Sequence, residues 1–178
     1  MERAEAGYGA VAKILHWLIF VLLAAQYAVG SIMPHIGRNT PNESWVAWHL
    51  SLGAAITFFI FVRLVWKLAR PVPVPASTPA WHRSLAVATH WSLYVLVIAM
   101  VMLGWPAANY RGWTVMLFGV IPLPALAEKG ARWAHTAGDV HDTLVYVLLV
   151  PIALHVAAVV HHQYGRRDGT LARMLWGK

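Results

Sequence analysis

Two histidines in the last long apolar stretch are the residues best placed to do chemistry. His141 and His155 are 14 positions apart in the sequence, which on an α-helix is a rise of about 21 Å. Fourteen steps of about 100° bring the second ring back to within about 40° of the first. Both rings therefore point to one side of one helix, each near a different membrane surface. This spacing predicts two stacked sites, the arrangement that electron transfer across a bilayer requires.

Three more histidines stand at matching depths. His49 begins the second apolar stretch, level with His141, whereas His16 and His90 begin the first and third stretches, level with His155. A low-spin b-type haem takes two imidazole ligands, and a neighbouring group holds the other ring nitrogen of each. A single intramembrane histidine often only bonds a backbone carbonyl, but histidines at paired depths favour ligation. The residues alone do not decide between His16 and His90 for the inner site.

The residue types near these histidines favour haem over other metals. Zinc and copper also bind imidazole, but the sequence has no cysteine. That excludes thiolate ligands, iron–sulfur clusters, disulfides and c-type haem attachment. The acids nearest His141 are Asp139 and Asp142, and Asp142 is predicted to face away from it. Gly53 and Gly138 are predicted to let a porphyrin approach the helices.

The elements that must position these histidines are transmembrane helices. Hydrophobic residues make up 59% of the chain and charged residues only 12%, against about 25% charged residues in an ordinary soluble domain. A transmembrane helix needs about 20 mostly apolar residues. Four stretches qualify, namely 14–33, 46–66, 85–105 and 140–160. We therefore predict an all-α fold in which residues 1–178 form one domain, an integral membrane four-helix bundle that holds two b haems.

Basic residues predict the orientation of the bundle, because they are in excess on the cytoplasmic side. Ten of them flank the ends that would share one side: Arg3, Lys13, Arg63, Lys67, Arg70, Arg83, Arg166, Arg167, Arg173 and Lys178. Four lie on the other side: Arg38, Arg111, Lys129 and Arg132. Both termini are therefore predicted to be cytoplasmic. The net charge of +7 comes from residues that flank apolar runs, so the expected partner is membrane lipid and not nucleic acid.

The two longest connections differ in composition. Pro71, Pro73, Pro75 and Pro79 predict an extended, polyproline-like link between the second and third helices. The outer segment 107–139 is long for a helix–helix connection, and it is predicted to contain a short interfacial helix.

A series of short motifs, taken in order, resembles the bacterial cytochrome b561 family. The motifs are Ile14-Leu15-His16-Trp17, Trp48-His49, Val62-Arg63-Leu64, His90, Tyr110-Arg111-Gly112-Trp113, Phe118-Gly119, Leu123-Pro124, His141, His155, His161-His162 and Asp168-Gly169-Thr170-Leu171-Ala172-Arg173-Met174. Each is weak alone, but their order, their spacing and their agreement with the four spans are specific. The resemblance covers nearly the whole chain.

This resemblance implies a four-helix bundle in the bacterial inner membrane with two b haems. It implies that His49 and His141 ligate the outer haem, and that His16 and His155 ligate the inner one. In the stand-alone branch of the family, the implied activity is that of a superoxide oxidase. Superoxide would be oxidised to oxygen on the outer side, and ubiquinone would be reduced.

Candidate residues for the two reactions follow from charge and depth. Quinone reduction needs protons, which a titratable imidazole delivers, and a cation would orient a quinone carbonyl. The candidates for this quinone site are His90, His162 and Arg83. Exposed cations would raise the arrival rate of the superoxide anion. The candidates for this steering are Arg111, Lys129 and Arg132.

Two other functions compete with the oxidase. A cytochrome b membrane-anchor subunit, which passes electrons between a dehydrogenase or hydrogenase and quinone, would share the four-helix core and the histidine spacing. The short termini and the lack of an evident extension favour a stand-alone protein with no obligate protein partner. A haem-free transporter would need broken helices or an internal repeat, and the sequence has neither pattern.

Overall fold

Four long helices form the fold in the computed structural model, which describes residues 8–37, 40–72 and 79–175. The helices are α1 (Ala10–Ile32), α2 (Ser44–Ala69), α3 (Ala80–Tyr110) and α4 (Arg132–Val160). Each is long and apolar enough to cross a membrane. In lipid, the backbone must satisfy its own hydrogen bonds, so apolar segments of this length form helices. The predicted all-α membrane bundle is confirmed, and the four helices cover the four predicted spans except for Met33, which follows the last residue of α1.

The helices pack as two close pairs. α3 lies mainly against α4, and α1 lies mainly against α2, while α2 also contacts α3. One buried cluster joins Ile19 of α1, Ile60 of α2, Val97 of α3 and Leu148 of α4. Many large apolar side chains on the outer helix faces are exposed, as expected where lipid tails replace water. The buried core of the described bundle is therefore narrow.

The outer connection between α3 and α4 folds differently from the prediction. α3 continues to Tyr110, a two-stranded hairpin follows, and α4 begins at Arg132. The hairpin pairs β1 (Met116–Leu117) with β2 (Ile121–Pro122) in antiparallel fashion. The predicted separate interfacial helix is therefore wrong: residues 107–131 contain the end of α3 and this hairpin, and the next helix is α4 itself.

Buried hydrogen bonds and left-handed turns explain this conformation. The buried amide of Asn109 donates to the carbonyl of Trp113 at 3.1 Å, and its oxygen accepts from the backbone N–H of Leu126 at 2.8 Å. Phe118 and Gly119 have φ of 54° and 72°, the positive values that a tight hairpin turn needs at its centre. The Phe118 ring packs on Phe58 of α2, 5.9 Å between centroids, which offsets the cost of the left-handed conformation at a bulky residue.

The two ends of the described chain meet at one end of the bundle. The ammonium of Lys13 donates to the carbonyl of Leu175 at 2.7 Å, and the indole of Trp17 donates to the carbonyl of Met174 at 3.0 Å. After α4, a π-helical segment (His161–Arg166) and a short 3₁₀ helix (Ala172–Met174) fold back to reach α1. Most of the proline-rich link between α2 and α3, residues 73–78, lies outside the described residues.

Candidate functional site

The outer histidine pair brings α2 and α4 together. The ring centroids of His49 and His141 are 6.2 Å apart, and the ring planes are nearly perpendicular. Nδ1 of His141 is 2.7 Å from the carbonyl oxygen of Met100 on α3. A carbonyl can only accept, so Nδ1 carries the proton and donates it. Nε2 of His141 is therefore left with its lone pair, which is the form that ligates a metal.

Glycines make space for both of these rings. A Cβ on Gly104 of α3 would lie 2.9 Å from two atoms of the His141 ring, and a Cβ on Gly30 of α1 would lie 3.7 Å from the His49 ring. The ring of His141 therefore occupies a position that any residue larger than glycine at 104 would obstruct. Gly53 and Gly138, the glycines expected from the sequence, face Gln26 and Ala107 instead.

Polar groups surround the outer pair. The side-chain nitrogen of Gln26 lies 3.1 Å from each ring nitrogen of His49 and donates to the His49 carbonyl at 3.2 Å. The side-chain oxygen of Gln26 and the indole nitrogen of Trp105 are buried without a hydrogen-bond partner among the described residues. Buried polar atoms normally have hydrogen-bond partners. The Gln26 oxygen and the Trp105 nitrogen could therefore each bond to a polar group of a bound molecule.

The inner site contains three histidines. The ring of His155 on α4 lies 6.1 Å from the ring of His16 on α1 and 5.5 Å from the ring of His90 on α3. All three side chains are partly buried. The His16–His155 separation matches that of the outer pair, while His90 is closer to His155. The structure thus brings both sequence-derived candidates for the second inner ligand to the same ring.

These separations fit two imidazoles on opposite sides of an iron atom. A ligating imidazole nitrogen lies about 2 Å from its metal, so two rings facing each other across one metal have centroids about 6 Å apart. Among the described residues, no three His, Asp or Glu side chains are grouped as ligands of one metal ion. The ring separations therefore suit bis-histidine haem, with one of the three inner imidazoles left over as a neighbour of the pair.

A polar cluster lies beyond α4 at the inner end, and it contains His162. Nδ1 of His162 is 2.6 Å from the carboxylate of Asp168, which also accepts from Nε of Arg166 at 3.2 Å. The hydroxyl of Thr170 donates to the same carboxylate at 2.7 Å. Burial would raise the pKa of Asp168, but the hydrogen bonds from Thr170 and His162 outweigh it and hold that pKa well below its usual range.

The other predicted residues of the quinone site lie at different depths relative to this cluster. The ring of His82 lies 6.1 Å from that of His162 and links α3 to the cluster. Arg83 follows it in the first turn of α3, where its side chain is exposed. His90 lies deeper in the bundle, against His155. The predicted quinone residues are thus at two depths, with His90 at the histidine site and His162 at the inner surface.

The predicted outer cations lie around the connection between α3 and α4. Arg111 donates to the carbonyl of Gly37 at 2.9 Å, and its guanidinium lies 5.4 Å from the centroid of the Trp113 ring. Lys129 and Arg132 are exposed. A cleft of about 580 Å³ opens beside Lys129 and is also lined by Trp113. The three cations therefore lie at the same end of the bundle, and Arg111 is held there by its hydrogen bond and by the Trp113 ring.

Sequence reasoning missed several groups that the structure places at the histidines. Gln26 is the only amide side chain in α1, and a lone amide in an apolar span is a usable signal for a partner. Gly104 and the carbonyl of Met100 gave no signal, because their roles depend on which helix faces His141. Arg63 was used only in the charge count and in one motif, although a charged residue inside a span is itself a functional signal.

Comparison with known proteins agrees with this geometry. The family model described as prokaryotic cytochrome b561 matches residues 7–177. The chain belongs to the prokaryotic cytochrome b561 family. Members of this family bind b-type haem and transport electrons, and the four apolar helices of this chain make it a multi-pass membrane protein.

Three relatives of this cytochrome b561 chain align over nearly the whole of both sequences. Cytochrome b561 homolog 2 of Escherichia coli (strain K12) is 29% identical over 174 residues, 94% of this chain and 90% of the relative. A probable superoxide oxidase of Yersinia pestis is 29% identical over 164 residues, 90% and 91% of the two chains. Cytochrome b561 homolog 1 of Escherichia coli (strain K12) is 26% identical over 166 residues, 90% and 92% of the two chains.

Proposed function

We propose that this cytochrome b561 is a superoxide:ubiquinone oxidoreductase that uses two b-type haems. Superoxide is oxidised to O₂ on the outer side of the bacterial inner membrane, and ubiquinone is reduced toward the inner side. One observation carries this proposal. The two ring pairs, 6.2 Å and 6.1 Å between centroids, each include a histidine of α4, and these two α4 residues are about 21 Å apart along the helix.

In this proposal each haem iron has two histidine ligands. His49 and His141 ligate the outer iron, and His16 and His155 ligate the inner iron. When bound, the two haems supply single-electron transfer across the bilayer. The hydrogen bond between Nδ1 of His141 and the Met100 carbonyl fixes the tautomer and the direction of that ring. Gly104 leaves the space that the ring occupies.

Three cations on the outer side are proposed to attract an anionic substrate. Arg111, Lys129 and Arg132 lie on the outer connection and at the start of α4. Glu128 and Asp139 lie on the same side, so the steering proposed here depends on the local field of these cations and not on a net positive charge. The probable superoxide oxidase of Yersinia pestis, 29% identical to this chain, is a further reason to propose superoxide as the donor.

The inner end provides groups for reducing a quinone. Reduction of one ubiquinone to ubiquinol takes two electrons, hence two superoxide anions, and two protons. Nδ1 of His162 donates to the Asp168 carboxylate at 2.6 Å, so Nε2 is the free nitrogen, which would take up a proton and then pass it to the quinone. Arg83 and His90 are the other proposed quinone residues: the guanidinium as a donor to a carbonyl, and the imidazole as a second proton source.

Haem absorbance under anaerobic conditions tests the two half-reactions separately. Superoxide, delivered as potassium superoxide, should reduce the purified protein without a partner protein, and added ubiquinone should reoxidise it. The reduction rate should fall as salt rises, because exposed charges are screened beyond about 8–10 Å at physiological ionic strength. A protein that superoxide fails to reduce, but that a quinol or a dehydrogenase reduces, would be a membrane-anchor subunit and not an oxidase.

Matched variants locate the two half-reactions. Lys129→Gln combined with Arg132→Gln should slow reduction by superoxide by up to about tenfold and leave the haem content unchanged. The control is Arg70→Gln, which removes an exposed cation at the inner end of α2 and should not affect this step. His162→Gln should leave the superoxide step unchanged and slow reoxidation by ubiquinone. Equal slowing of both steps by either variant would contradict the assignment.

A further inference from the structure

Two cations of α2 lie inside the inner half of the bundle. Arg63 and Lys67 are four residues apart, so they share one face of the helix. Both side chains are partly buried, whereas Arg70 at the end of the same helix is exposed. Charged residues within a membrane span are costly and normally pair with one another or with backbone carbonyls. The partners of these two cations therefore need an explanation.

Arg63 is held between α1 and α3, next to the inner histidines. Its Nε donates to the hydroxyl of Tyr94 at 2.9 Å, and one terminal nitrogen donates to the carbonyl of Ala12 at 3.3 Å. Ala12 is one helical turn from His16, and Tyr94 is one turn from His90. Both contacts are to neutral groups, and a guanidinium has five N–H donors, so donors remain for an anion.

Lys67 is also directed into the bundle. Its ammonium lies 4.7 Å from the centroid of the Trp91 ring and 4.8 Å from that of Tyr94, both on α3. A lysine near the end of a span would otherwise extend its side chain to the membrane surface. The aromatic faces hold this ammonium near Arg63 instead. The two charges therefore lie together beside Tyr94.

The protein supplies no carboxylate to these cations within the described residues. The ion pairs found there join His135 to Asp139, and Asp168 to His162 and Arg166. The other described acids are at the outer ends of the helices or in the outer connection: Glu43, Glu128 and Asp142. The carboxylate of Asp168 is already bonded to Thr170, His162 and Arg166. Two partly buried positive charges to which the described residues supply no carboxylate indicate a site for an anion.

We propose that Arg63 and Lys67 bind the propionate carboxylates of the inner haem and so position it between the inner histidines. The inference rests on the two-haem core proposed above. A b haem carries two propionates, which match the two cations in number. Guanidinium and ammonium groups both form strong, charge-assisted hydrogen bonds with carboxylates. The direction of both side chains toward α3, away from the bilayer, favours this ligand over a lipid phosphate.

The test compares haem with its dimethyl ester, in which both propionates are neutral. Apoprotein in phosphatidylcholine nanodiscs would be titrated with each porphyrin and followed by Soret absorbance. A His141→Ala background restricts binding to the inner site. With Arg63 and Lys67 intact, the ester should bind at least about tenfold more weakly than haem, the size expected for losing hydrogen bonds to charged groups. In the double variant Arg63→Gln/Lys67→Gln, the two porphyrins should bind equally.

Single variants guard against a folding defect in the double variant. Lys67→Gln alone, which removes only the contacts with two ring faces, should reduce the discrimination between the two porphyrins. Lys67→Arg keeps the positive charge and should preserve the discrimination between the two porphyrins. Arg70→Gln, the exposed control on the same helix, should discriminate as the parent protein does. Undiminished discrimination in the Lys67→Gln and double variants would overturn the proposal.

Other outcomes are equally informative. If the parent protein binds both porphyrins equally, propionates are not recognised and the proposal fails. If the two cations affect binding only when the nanodiscs contain anionic lipid, they serve lipid phosphates and the proposal also fails. If the His141→Ala protein, with Arg63 and Lys67 intact, binds no haem at all, the proposed two-haem core is wrong. That outcome differs from a failure of the propionate proposal, in which haem still binds at the inner site.

Discussion

Replacing Gly104 by alanine should weaken the outer haem site specifically. A Cβ at this position would lie 2.9 Å from Cε1 and from Nδ1 of His141. Non-bonded carbon atoms prefer about 3.5–4.0 Å, so the ring would have to retreat by about 0.6 Å or more. Gly104 and Met100 are one turn apart on α3, and the ring contacts both. The retreat therefore lengthens the 2.7 Å bond from Nδ1 to the Met100 carbonyl.

The expected loss follows from that hydrogen bond. Removing the group that holds a ligating histidine typically lowers metal affinity by about 10–100-fold. We expect a loss of this size at the outer haem and none at the inner haem, because the inner histidines contact neither Gly104 nor Met100 in the described structure. The chain itself should fold normally, since alanine is a better helix former than glycine.

Partition of haem between the protein and excess apomyoglobin measures this loss, and pyridine haemochrome gives the haem content. The control is Gly9→Ala, whose Cβ would have no heavy atom within 4 Å and which should behave like the parent protein. Gly30→Ala introduces only ordinary contact with His49, at 3.7 Å, and should have a smaller effect than Gly104→Ala. Unchanged affinity at both sites in Gly104→Ala would refute the argument that the ring needs this space.

Three further predictions concern the inner ligand, the C-terminal cluster and the orientation. His16→Ala should remove the inner haem and His90→Ala should leave it, as counted by pyridine haemochrome; the opposite result would make His90 the ligand. The pKa of Asp168 is lowered in the folded protein. Its ionised carboxylate therefore stabilises the fold fully above about pH 3.9, the pKa of an aspartate in the unfolded chain. This contribution is lost as the pH falls from there toward the lower pKa of the folded state. The rate of proteolysis after residue 160 should therefore be constant from pH 7 to about 5 and increase only below about pH 4. The Asp168→Asn variant should be cleaved faster than the parent protein at every pH. Equal cleavage rates for the variant and the parent protein would contradict this. A reporter fused after Lys178 should be active in the cytoplasm and one inserted at Ala127 outside, and reversed activity would show the opposite orientation.

The sequence by itself determined the architecture of the bundle. Long apolar runs and scarce charge are local properties, and lipid leaves helices as the available structure for them, so the four spans were predictable. The helical period likewise fixed the relation of His141 to His155, because both are on one element. The sequence also predicted which histidines lie at equal depth, since depth along a span is a count of residues.

Tertiary structure alone decided the surroundings of each ring. The glycine that meets His141 is Gly104 on the facing helix α3 and not Gly138 on its own helix, because side chains pack into the surface of a neighbouring helix. Arg63 reaches both Ala12 and Tyr94, a contact that depends on how α2 is rotated between α1 and α3. Such rotation and pairing depend on the packing of all four helices together, and residue spacing within one helix carries no information about them.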